Sequence, residues 1–130
     1  MNVLREQLAI SHSGDMSQTS IASDPWSMDQ MKGFAVQPIW TGSSPVGTIT
    51  IQGSNDDGGT SGGNPPVITN WTTVSFKDNT GATVSSFSVS GNSGNTMIQD
   101  DAQYYRWARL VYTKGSGTGT LSARLEAKGY

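Results

Sequence analysis

The chain has 130 residues, with 8 basic and 10 acidic residues, one histidine and no cysteine. This length fits one domain that can bury a core without covalent staples. The missing cysteine excludes disulfides, thiolate metal sites and a cysteine nucleophile. The net charge of −2, with no basic cluster, argues against nucleic acid, and no apolar run approaches the roughly 20 residues of a membrane helix.

Gly, Ser, Thr and Asn together account for 55 of the 130 residues, and charged residues for only 14%. Helices that face water usually carry more charge than this, whereas short strands with Ser and Thr on their wet faces, joined by turns, have this composition.

In chain order, residues 1–15 form an N-terminal arm in which Val3, Leu4 and Leu8 share a face over one or two helical turns. So short a helix is marginal in water, so the arm is expected either disordered or docked on a neighbouring subunit. Residues 16–130 form the domain. A short strand is expected near 17–22, followed by a turn at Asp24-Pro25. Residues 33–40, "GFAVQPIW", read as a strand with Phe34, Val36 and Trp40 on one face. Pro38 lacks a ladder donor and so predicts an edge or a bulge. "TGSSP" predicts a turn, and "VGTITIQGS" a half-buried strand with Ile49 and Ile51 pointing one way.

Beyond a glycine-rich stretch, strands are expected at 71–76, 83–90 and 96–99, separated by "KDNTGA" and "NSGN" turns. Residues 104–113, "YYRWARLVYT", are apolar on both faces and predict a central, covered strand. "KGSGTG" predicts a hairpin loop. "TLSARLEAK" alternates with Leu121, Ala123, Leu125 and Ala127 inward. About eight short strands at this spacing predict an all-β, antiparallel sandwich or jelly roll.

The stretch "GSNDDGGTSGGNPP" lacks the lysine of a phosphate-binding loop, and a strand rather than a helix follows it. Asn55, Asp56 and Asp57 are its one metal option, for calcium, but no glutamate closes the loop. The preferred reading is a long connection that caps its own turns and presents residues 55–64 at the surface. The single histidine, His12, sits in the arm, and no acid–base pair can be assigned, so neither a catalytic residue nor a cofactor is expected. Trp40, Trp71 and Trp107 lie in predicted strands and are expected in the core, whereas Trp26 beside Pro25 is expected at the surface. Arg109 lies among apolar neighbours and needs a structural partner or a carboxylate on another molecule.

"GTITIQGSND", "TNWTTVS" and "YRWARLVYTKGSGTGTLSARLEAKG" together resemble a family of small virion structural proteins of tailed bacteriophages. The likeness spans roughly residues 34–129. A looser likeness links the same strands to discoidin-type galactose-binding jelly rolls, from which no binding residue carries over. The phage resemblance implies a non-catalytic β-sandwich that decorates and cements a capsid assembled in the host cytoplasm. Its partners would be the major capsid protein or other virion proteins, and it would form a homo-oligomer, a trimer by resemblance. The expected partner contacts are Val3, Leu4 and Leu8 in the arm, with Trp26 and Met28 behind it. On this reading, removing residues 1–15 leaves a folded domain that no longer joins particles. The alternative function is a glycan-binding module for host attachment, or another tail or connector component.

Overall fold

The computed structural model describes residues 3–57, 67–101 and 105–129. These residues form an antiparallel β-structure without an α-helix, and its strand pairings belong to one continuous sheet. Two long strands carry the architecture: β4, Met31–Ser54, and β11, Trp107–Gly129. They pair from Trp107↔Ser54 to Gly129↔Met31. A straight strand of 24 residues would span about 80 Å, whereas a chain of this size has a radius of gyration of only about 14 Å. The ribbon therefore has to fold over.

The fold-over lies where the ladder slips, between Lys114 and Thr118 of β11, opposite residues 43–47 of β4. Here Ser44 and Gly117 take φ values of 50° and 78°. The burial phase inverts across this point. Phe34, Val36, Pro38 and Trp40 are buried before it, and Ile49, Ile51 and Gly53 after it. On β11 the buried set changes from Ala108, Leu110 and Tyr112 to Leu121, Ala123, Leu125 and Ala127. A strand whose side chains swap parity at a bulge presents one surface of the ribbon to the core throughout. The two halves are thus the two leaves of a sandwich, and both contribute to a single core. Trp26 meets Phe34 edge-on with centroids 5.2 Å apart, and Trp40 meets Phe87 at 6.0 Å, each pair joining residues from different leaves.

Short strands extend the ribbon on both sides. Along β11 run β1 (Val3–Leu8), β2 (Ser20–Ala22) and β3 (Trp26–Ser27). Along β4 run β5 (Thr72–Val74), β8 (Phe87–Val89), β9 (Ser93–Asn95) and β10 (Ile98–Asp100). β6 (Phe76–Lys77) joins β10, and β7 (Thr83–Val84) joins β6.

Several expectations hold: the inward faces of residues 33–40, of Ile49 and Ile51, and of 121–127 are as read. Others are corrected. "TGSSP" and "KGSGTG" lie inside long strands, because each is the other's partner across the ribbon. The "NSGN" segment read as a turn contains β9. Pro38 lies within the sheet. Its ring falls where the neighbouring strand breaks between β9 and β10, and there the Thr96 N–H donates to its carbonyl at 3.3 Å. The absent Pro38 N–H and the gap coincide.

The arm is also corrected. Residues 3–8 are not helical: they form β1, paired with β11 from Val3↔Lys128 to Leu8↔Ala123. Leu8 is buried, Leu4 is partly buried, and only Val3, at 46%, is broadly exposed. The edge of β11 supplies the partner that an isolated helical turn lacks, and tertiary pairing overrides a weak local preference.

Candidate functional site

The glycine-rich connection leaves β4 at Ser54 and returns at β5. Its described base is tied tightly. Asp56 Oδ2 accepts hydrogen bonds from the Thr69 and Asn70 backbone N–H groups at 2.8 and 2.9 Å, and its Oδ1 accepts from Asn70 Nδ2 at 3.1 Å. These donors, the Asn70 amide first, hold the Asp56 carboxyl below its ordinary value. Asn55 Oδ1 accepts from the Arg106 backbone N–H at 2.9 Å, and Asp57 pairs with Arg106 Nη1 at 3.0 Å. The three residues weighed for calcium are therefore each engaged by protein donors, Asn55 and Asp57 by Arg106 and Asp56 by Thr69 and Asn70. Among the described residues no cluster of three or more metal-ligating side chains forms. Of the 55–64 segment, residues 58–64 lie outside the described residues.

Immediately beside this base, the outer face of the second leaf carries an aromatic and cationic cluster. The Arg109 guanidinium lies 4.3 Å from the Trp71 ring centroid, and Arg109 Nε donates to Gln52 Oε1 at 2.8 Å. Gln52 and Arg109 are cross-strand partners, and Thr73 pairs with Gln52 from the far side. Trp107 stands two residues before Arg109 on the same face, its indole Nε1 donating to the Asp56 carbonyl at 3.2 Å. The connection's base thus fixes one tryptophan, and the other, Trp71, stands immediately before β5. Partial burial draws the Arg109 guanidinium down from its ordinary value. No carboxylate among the described residues lies within ion-pair distance of it.

This arrangement reverses the expected roles of the tryptophans. Trp26, expected at the surface, is 2% exposed and packs on Phe34. Met28, expected as a partner contact, is 5% exposed in the same core. Both plug the edge of the sandwich where the chain crosses from β3 to β4, so neither offers a surface. Trp40 is buried as expected. Trp71 and Trp107, expected in the core, are only half-buried on the outer face. The available signal was parity: Trp107 and Arg109 share a phase opposite to Ala108, Leu110 and Tyr112. Arg109 itself finds an amide and a ring rather than an acid.

At the open end of the sandwich lies a groove of about 870 Å³, lined by Gly53, Asp56, Val74, Lys77, Asp101 and Tyr105 among others. The Tyr105 ring covers Gly53 so closely that no side chain fits there. Its hydroxyl donates to Asp100 Oδ2 at 2.9 Å, which ties the start of β11 to β10 in the other leaf. Burial, then the Asp100 charge, pushes the Tyr105 phenol well above its ordinary value.

Comparison with known proteins places the fold. The crystal structure of the SPBc2 prophage-derived protein YomS is similar to this chain, with a TM-score of 0.58 at 12% identity, covering 97% of this chain and 96% of that one. No family model matches, and no curated protein matches. The likeness covers nearly the whole of both chains, so the fold as a whole is shared.

Proposed function

We propose that the protein is a structural component of a phage particle, with capsid decoration as its role. The observation that carries this reading is the likeness to a prophage-derived protein over nearly all of both chains. The sequence resemblance to small virion proteins points the same way, and the strand-rich, charge-poor composition suits a passive, adhesive part. Its mechanism is contact: each copy buries surface across neighbouring capsid subunits, and many modest interfaces add up. Calcium, if used at all, would be supplementary, because Asp56 and Asp57 already have protein partners.

The contact surface differs from the one expected. Of the five residues named from the sequence, Val3 is broadly exposed and Leu4 partly so, and both lie on an edge strand. Leu8, Trp26 and Met28 hold the core together. The docking surface is therefore built on the folded sandwich and not on a detachable arm. Adding purified protein to particles that lack it tests this reading. Saturable binding that raises the temperature of capsid disruption is expected. Absence of binding to intact particles would remove the decoration role.

A second reading is favoured by one observation, the half-exposed Trp71 and Trp107 beside Arg109. It is a glycan-binding module on a tail or spike, since aromatic faces stack on sugar rings.

A further inference from the structure

We infer that the Trp71–Arg109–Gln52 cluster, flanked by Trp107, is a binding site for the carboxylate of an acidic sugar, a hexuronic or sialic acid residue of a glycan. This deepens the glycan-binding reading and rests on it. The guanidinium is already oriented: Gln52 holds its Nε, and the Trp71 ring lies across its plane. Among the described residues no protein acceptor takes a hydrogen bond from its two terminal nitrogens and no acid neutralises it. An arginine fixed in this way presents two parallel N–H donors matched to a carboxylate. Placement on a ring strengthens its positioning at little entropic cost.

The surroundings favour a sugar over an acidic protein segment. Thr50, Gln52 and Thr73 give the adjoining sheet face hydroxyl and amide groups, which suit a polyhydroxy ligand. Trp107 supplies a half-exposed ring next to the cation.

Intrinsic tryptophan fluorescence and indole N–H chemical shifts, followed during titration of the full chain, test this. The probes are galacturonic acid, N-acetylneuraminic acid, galactose and polyglutamate. Saturable responses to at least one acidic sugar are expected, with shifts at the Trp71 and Trp107 indoles and weak or no response to galactose. Arg109→Gln is expected to weaken acidic-sugar binding by about 10–100-fold, the loss of a charged hydrogen-bond pair, and Arg109→Lys by less. Where Arg109→Gln fails to fold, the wild-type shift map decides: shifts at other residues overturn the site. Binding of galactose without preference for the acidic sugars overturns the acidic specificity but leaves glycan binding standing. Silence towards every sugar removes both, and a response to polyglutamate alone reassigns the cluster to an acidic protein partner.

Discussion

Asp56 closes a connection whose chain separation is long, and it does so with a carboxylate that accepts three close hydrogen bonds. Its carboxyl is depressed in the folded state. The sign follows directly: a depressed acid contributes stability above its unfolded value of about 3.9 and loses it as pH falls through the lower folded value. Asp56→Asn is therefore expected to speed amide exchange at Thr69 and Asn70 near neutral pH, with the difference from wild type fading as pH falls through the lowered folded value. A difference that persists unchanged into acid would mean that packing and not charge holds the base. The tryptophans show the limit of reading single residues. Residue type alone sent Trp71 and Trp107 to the core and Trp26 to the surface. Strand phase decides the matter, because Ala108, Leu110 and Tyr112 fill the inner positions beside Trp107 and Arg109. Trp26 is buried because a crossing between leaves needs a large ring to cover Phe34.

Among the elements, the bend of the β4–β11 ribbon carries the architecture. Gly117 has φ 78°, and a Cβ there would collide with the Ser44 carbonyl. Gly81 has a similar φ, 85°, with open space around it. Gly117→Ala is expected to lose about 2–5 kcal/mol, combining backbone strain with overpacking, and Gly81→Ala only about 1–2 kcal/mol. Urea denaturation of the two variants measures the contrast. Equal losses would contradict the bend assignment. Strand β1 gives a second test. Deleting residues 1–8 removes the partner of β11 and the buried Leu8, at an expected loss on the order of 3–5 kcal/mol, a large share of a typical domain's stability. Arg5→Ala breaks only an exposed pair with Glu126 and is expected within about 0.5 kcal/mol of wild type. A truncated chain that melts like the intact one would restore the independent arm. Alternation was legible in 33–40, 48–52 and 120–128. The joining of these pieces into continuous strands was not. Gly, Ser and Pro at 41–45 carry turn signals, and only their partner at 114–119 across the ribbon keeps them in the ladder. The arm was illegible for the same reason: its fate depends on an edge more than 100 residues away in sequence.

At the scale of the whole molecule, an all-β sandwich was readable from composition and turn spacing, while its strand order was left open by them. The long bent ribbon resolves that order, with β1, β2 and β3 beside β11, and β5, β8, β9 and β10 beside β4. It also leaves the N-terminal strand at an edge and the Arg109 cluster on an outer face. The decoration role and the glycan role differ most sharply in number of copies. For the proposed virion role, the decisive measurement is the amount of this protein in purified particles relative to the major capsid protein. The decoration account predicts a simple stoichiometric ratio to the capsid protein. A few copies per particle would contradict decoration and favour a tail or spike part, and absence from the particles would contradict the virion role itself.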